Sequence, residues 1–151
     1  MRKPDMNAGD RFDAALRLRD SSRYPEALDE LLIVIELATD GQPRLAAHAH
    51  MQRGNIYLSL DEPEEAERDF RVASQLLPRF ELASLGLFHA LFNREKYEEA
   101  FAEMLRFVTD VNSPEYHELL LSPGYGDVLP PKLRTIAEQS RRALAAHLHR
   151  N

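Results

Sequence analysis

Six residues at fixed intervals constrain this chain more than anything else in it. They are Gly54, Tyr57, Ala66, Phe70, Ala73 and Pro78, which stand at offsets of 3, 12, 16, 19 and 24 from the glycine. Small, aromatic and breaker residues in six such places are hard to obtain from an ordinary helical bundle. The interval also recurs. Tyr97-Glu-Glu-Ala100 lies 34 residues after Pro63-Glu-Glu-Ala66, and Tyr24-Pro-Glu-Ala27 lies 39 residues before it. Five extra residues, Gln42 to Ala46, make the upstream step longer, and Gly41 and Pro43 mark a helix stop followed by a helix start there. Self-similarity at such a period points to stacked supersecondary units.

The pattern resembles the tetratricopeptide repeat, a helix-turn-helix unit that stacks into a solenoid. The resemblance implies an all-α fold, a right-handed superhelical solenoid of antiparallel helix pairs, with units at 8–41, 47–80 and 81–114. In such a unit Gly54, lacking a side chain, lets the second helix of its own pair approach closely. Ala66 is the small counterpart on that second helix, Tyr57 and Phe70 fill the wider gaps, and Ala73 admits the first helix of the next unit. Pro78 ends the second helix, because it has no amide hydrogen and disfavours helical geometry at the residue before it. The first unit keeps the pattern with Ala15 in the small place and Leu31 in the aromatic one. The third departs from it, since Phe88 stands where a small residue is expected and Phe107 replaces the equivalent of Ala73. Gly86 and Ala90 are left to supply the close approach. Three units are about the minimum that buries a continuous core in such a stack.

Composition agrees with one modest, elongated core: 151 residues, 44% of them apolar. The absence of cysteine removes any disulfide framework or thiolate site and suits a reducing, cytoplasmic compartment. Residues 1–7 read as a flexible polar start without an apolar signal core, and no apolar run approaches membrane length. The large arginine share points to a bacterial source. The formal charge of −6 is uneven: residues 131–151 carry five cations against Glu138, which is +4 and leaves −10 for the rest. The same segment shows an apolar stripe in helical spacing at Leu133, Ile136, Ala137, Ser140, Leu144 and Leu148. It is expected to be a capping helix, because an acidic body opposes binding to phosphate backbones and cationic groups suit the end of a terminal helix. Residues 115–130 read as a short helix and loop, with Ser113 and Pro114 as N-cap and first turn and Pro123, Gly124 and Gly126 as breakers. Tyr116, Leu119, Leu120, Leu121 and Tyr125 are too apolar for a free linker. They are expected beneath the capping helix, with a fold-back into the groove as the alternative.

The resemblance also implies a role. Such solenoids bind other proteins on a concave surface lined by the first helix of each unit. The implied ligand-facing residues are Phe12 and Leu16 in the first unit, beside Gly9, Asp13, Arg19 and Asp20. The second unit supplies His48, Met51, Gln52 and Asn55, beside Leu58 and Ser59. The third supplies Leu85, His89, Phe92 and Asn93, beside Leu82 and Gly86. Asn55 leads, because a carboxamide both donates to and accepts from a peptide backbone. Phe12, Met51, Leu85 and Phe92 are expected apolar anchors, Met51 being the adaptable one. Family members that grip heat-shock chaperones use a clamp of lysine, arginine and asparagine. At those places this chain has Phe12, Leu16, Gln52, Leu82 and Gly86, so that role does not fit, and an apolar segment suits the groove better. The expected partner is therefore a protein or peptide, and not nucleic acid or membrane. Two alternatives are a small secretion-type chaperone that shields an apolar substrate segment, and a self-associating scaffold or homodimer.

No catalytic or metal constellation stands out, and neither an enzyme nor a cofactor is expected. His48 and His50, like His147 and His149, are two apart and point to different helix faces. No histidine pair has the gap that places two ligands on one face. His117 beside Glu115 and Glu118 reads as solvated surface. Glu62, Glu64, Glu65, Glu67 and Asp69 read as an acidic helix start that the helix dipole favours. Gly124-Tyr-Gly126 reads as a turn.

Overall fold

The computed structural model describes residues 6–121 and 131–149, with backbone only for Leu121, Lys132 and Leu133. Among the described residues the chain is all helix: α1 (Ala8–Asp20), α2 (Tyr24–Ala38), α3 (Pro43–Ser59), α4 (Pro63–Leu76), α5 (Glu81–Asn93), α6 (Tyr97–Asp110), α7 (Pro114–Leu121) and α8 (Pro131–Leu148).

Three tight turns, α1 to α2, α3 to α4 and α5 to α6, reverse the chain in the same way. Each holds one non-glycine residue in the left-handed region: Ser22 at φ 58°, Asp61 at 57° and Glu95 at 59°. The amide after each reaches back to an orphan carbonyl of the preceding helix. Arg23 N donates to Leu18 O at 2.8 Å, Glu62 N to Tyr57 O at 2.8 Å and Lys96 N to Leu91 O at 2.9 Å. This is the Schellman closure of a helix end. It pairs α1 with α2, α3 with α4 and α5 with α6, each antiparallel. Proline sits in the first turn of α2, α3 and α4, where its missing N–H has no intrahelical partner to lose.

The chain divides into two compact units, residues 1–78 and 79–151. In the first, α3 lies against α4, α2 and α1. Ala15, Ala27, Leu31, Val34, Ala49 and Ile56 form a buried cluster, with Phe12, Leu18, Tyr24, Leu28, Ile35 and Leu45 packed around it. Between α3 and α4 the Gly54 position is filled by its neighbour: a Cβ added there would stand 2.9 Å from the Phe70 ring, which is fully buried. The acidic start of α4 splits in two. Glu64 and Glu65 pair with Arg68 on the surface. Asp69, by contrast, is buried and accepts from Arg53 Nε at 2.9 Å and Nη2 at 2.8 Å, with His50 Nδ1 also 2.8 Å away. Burial works against the Arg53 charge, but the bonds and charge of Asp69 outweigh it and raise its pKa. The helix dipole alone therefore does not account for Asp69: α3 offers it the charge-assisted partners that a buried carboxylate needs.

The second unit closes with aromatic rings. Phe88 meets Phe101 edge-on with centroids 5.5 Å apart, Tyr116 edge-on at 5.9 Å and Phe92 stacked at 5.8 Å. Ser113 Oγ caps α7 by accepting from Tyr116 N at 3.1 Å, and the Tyr116 side chain inserts fully buried among the rings. Its hydroxyl lies 2.8 Å from Ser84 Oγ, whose own hydrogen goes to Glu103 Oε1 at 2.8 Å, so Tyr116 is the donor in its pair. Arg106 in turn binds both oxygens of Glu103, at 2.8 and 2.6 Å. Burial pushes the Tyr116 pKa far up and keeps the donor in place. Tyr116 thus packs against α5 and α6, while its helix α7 also meets α8. Leu120 is buried and Leu119 half-buried, while Tyr125 and the rest of 122–130 lie outside the described residues. Helix α8 packs on α6 through buried Ala137, Ser140 and Leu144. There the His147 ring nitrogen meets Val108 O at 2.9 Å, and Arg141 donates to Leu120 O at 3.0 Å.

Candidate functional site

In the first unit α1 runs beside α3, and a side-chain bridge ties them. Arg19 Nη1 donates to Gln52 Oε1. The other edge of the same guanidinium is taken by Asp20 Oδ1, at 2.9 Å from Nε and 2.7 Å from Nη2. Next to this bridge is an open depression of about 240 Å³ lined by Arg19, Asp20, Tyr24, Asn55, Ile56 and Ser59. Small-molecule pockets begin at roughly 300 Å³, so this one is the size for a side chain or a short stretch of peptide.

Asn55 is exposed in that depression. Its carboxamide nitrogen donates to the Met51 thioether at 3.2 Å, a weak acceptor that leaves most of the amide's capacity open. Ser59 Oγ donates to the main-chain oxygen of Asn55 at 3.1 Å, which frees its lone pairs for an incoming donor. The lining thus presents neutral donors and acceptors around one guanidinium that is already paired.

The other expected residues fall out differently. Phe12 and Leu16 are half-buried on α1, with Phe12 packed on the core cluster. His48 is exposed on α3, and Gln52 is half-buried and occupied by Arg19. Met51 is 2% exposed and is core, not an anchor for a ligand. The physical reason is that α3 is enclosed by three helices, so its free stripe is narrower than a helix with one neighbour would have. Arg19, expected on the inner stripe but not among the leading contacts, lines the depression. The signal was its place on the inner stripe of α1, next to the acid that now holds it.

The second unit presents a different surface on α5. Leu82 is 56% exposed, His89 and Asn93 are exposed, and Leu85 and Phe92 are half-buried. Phe92 is steadied by Phe88 on one side and by Tyr97, edge-on at 4.9 Å, on the other. The His89 ring stands edge-on to Phe88 at 5.6 Å. Partial burial pushes its pKa below the ordinary histidine value and so favours the neutral ring. Among the described residues no three potential metal ligands cluster, and no helix is long and apolar enough to cross a membrane.

With the turns, the helix pairs and the Gly54–Phe70 contact in place, the class of fold is defined: the chain has the fold of the tetratricopeptide repeat. It is similar to the tetratricopeptide repeat protein 36 homologs of Drosophila melanogaster, 41% identical over 93 residues, and Drosophila pseudoobscura pseudoobscura, 42% identical over 83 residues. Those stretches cover 60% and 53% of this chain, and 50% and 45% of the relatives, so the chain spans about half the length of the curated relatives it matches. Among solved structures, the Sgt2 TPR domain from Aspergillus fumigatus shares the fold, with a TM-score of 0.60 over 94% of this chain and 82% of that one at 14% identity. No protein-family profile matches. Both curated relatives are fly proteins, and the arginine share finds no support there as a sign of bacterial origin.

Proposed function

We propose that this chain is a protein-interaction module whose α1/α3 face holds an extended segment of a partner protein. The observation that carries this is Asn55, an exposed carboxamide in a peptide-sized depression whose nitrogen donates to a thioether, a weak acceptor that leaves most of its capacity open. An extended strand arrives with unpaired N–H and C=O groups that must find partners when water is removed. Asn55, Ser59 and the Arg19–Gln52 bridge offer them at one place. Because Asp20 and Gln52 already occupy Arg19, the cation lining the depression is taken and is not open to a terminal carboxylate, which favours an internal, uncharged stretch of the partner.

Selection of a displayed library of proline-containing, non-helical peptides on the full chain tests this. The selected peptides should bind Asn55→Ala about tenfold more weakly than the native protein, as expected for losing a paired donor and acceptor worth about 1.4 kcal/mol together. Asn55 is exposed, so the helical signal of the variant should be unchanged. Peptides that hold Asn55→Ala as tightly as the native chain would refute the assignment.

A further inference from the structure

Helix α2 is the second of its pair and lies outside the surface formed by the first helices. Its buried face is Ala27, Leu31, Val34 and Ala38, turned towards α1 and α3. On the opposite side, at helical steps of three and four residues, stand Asp29, Leu32, Ile33, Glu36 and Leu37. Leu32 is 46% and Leu37 54% exposed, and Ile33 is half-buried. Apolar residues scattered singly on a surface are ordinary, but three on one side of one helix, set between acids, make a patterned face. The charge of that face is one-sided. Helix α2 carries four acids and no lysine, arginine or histidine. Arg23 pairs with Glu26 and Arg11 with Glu30. Asp29 and Glu36 are exposed and have no ion pair among the described residues. They stand seven residues apart, two helical turns, on either side of Leu32 and Ile33.

The charge decides the occupant. Anionic lipid or nucleic acid would meet acids of its own sign. A second copy of α2 laid antiparallel about Leu32 and Ile33 would set Asp29 against Glu36, and laid parallel would set each acid beside itself. Like charges brought together across an interface oppose binding. Lysine or arginine fits instead, because its aliphatic stem covers apolar surface while its head reaches a carboxylate at the rim. Spacing decides the conformation. Side chains on one face recur about every 5.4 Å on α2 and on a helix laid along it, but about every 6.8 Å on a strand. Only a helix stays in register with both acids and the leucines between and beside them. We infer that the outer side of α2 docks a cationic amphipathic helix of another protein, with lysine or arginine two turns apart around an apolar cluster. This site goes beyond the α1/α3 reading and does not depend on it.

The probe is a displayed library of lactam-locked helices of about fourteen residues, offered to the full chain. Two positions two turns apart carry lysine, glutamine or glutamate, and the face between them varies among leucine, isoleucine and alanine. Selected helices should carry lysine at both positions and leucine or isoleucine between. They should lose at least about tenfold in affinity to the double variant Asp29→Asn, Glu36→Gln, and as much to Leu32→Gln, Leu37→Gln. All four residues are exposed, so the helical signal should not change. The charge-reversed Asp29→Lys, Glu36→Lys chain should select glutamate in place of lysine. Asn55→Ala should leave the binders unaffected, which keeps this site apart from the α1/α3 depression. Selection of glutamine or glutamate by the native chain would overturn the inference. So would lysine-bearing helices that hold both neutral double variants as tightly as the native protein, or a library that yields no binder. A dimer in sedimentation that Leu32→Gln, Leu37→Gln abolishes would also overturn it, by giving the face to a second copy.

Discussion

Gly54 and Phe88 hold corresponding places, 34 residues apart, in the first helices of their pairs, and they solve opposite packing problems. In the first unit the glycine removes a side chain so that Phe70 can lie flat against α3, and the same economy appears as Ala15 in the cluster with Leu31. In the second unit a phenylalanine occupies that place, and the gap between helices is filled with further rings and closed by Tyr116 from α7. Close approach makes a unit sensitive to added volume. A ring cluster with a hydrogen-bonded plug makes a unit sensitive to lost volume. The difference reaches the surfaces as well: the first unit exposes an amide-lined depression, the second an apolar stripe.

The plug should give the largest effect. Tyr116→Ala removes a fully buried ring and is expected to cost about 3–5 kcal/mol. Hydrogen exchange should show the lost protection concentrated in residues 79–149. Tyr116→Phe keeps the ring and removes only the donor to Ser84, so it should cost about 1 kcal/mol. Equal loss of protection in both units would break the contrast, because it would mean that Tyr116 supports the first unit as strongly as its own.

Added volume should come next. Gly54→Ala places a methyl 2.9 Å from the buried Phe70 ring, which must shift to admit it, and such overpacking costs about 1–3 kcal/mol. Adding Phe70→Leu should recover much of that loss, since alanine with leucine is the combination the first helix pair already uses in Ala15 and Leu31. Urea midpoints of the two single variants and the double variant give the coupling directly. A double variant no better than Gly54→Ala would show that the glycine serves the backbone and not the ring.

How much of this was legible follows from where the information sits. The close approach at Gly54 could be read because a small residue at a fixed offset has one simple meaning in a helix pair, but its partner could not: Phe70 was expected in a wider gap, and its ring lies against Gly54 itself. The middle of the α8 stripe, Ala137, Ser140 and Leu144, could be read because periodicity names the buried face, whereas Leu148 at its end is 61% exposed. Met51 could not be read correctly, since its burial depends on how many helices surround α3, which no spacing within α3 reveals. Tyr116 was recognisably too apolar for a linker, but an eight-residue helix has too few turns to say which neighbour it faces. Asp69 looked like one acid among five at a helix start. Only the fold brings His50 and Arg53 to it, from 19 and 16 residues away. The candidate site divides along the same line: Asn55 was visible as an open amide on a predicted inner face, whereas the spending of Arg19 on Asp20 and Gln52 is a matter of tertiary distance.

The smallest effect concerns what the two units share. Ser22, Asp61 and Glu95 all sit in the left-handed region although none is glycine, and each closes the same helix end. A left-handed conformation costs a side-chain-bearing residue about 1–2 kcal/mol, and glycine's greater freedom in the unfolded chain returns about 0.5–1 kcal/mol of that. Glu95→Gly should therefore stabilise the protein by about 0.5 kcal/mol. Asp61→Gly should gain less, because aspartate tolerates the left-handed region better than glutamate. Urea midpoints that rise in that order at constant m would show one turn geometry serving both units under equal strain. A fall in midpoint for Glu95→Gly would mean that its side chain contributes more to the second unit than its backbone costs, and the two units would then differ at their turns as they do in their cores.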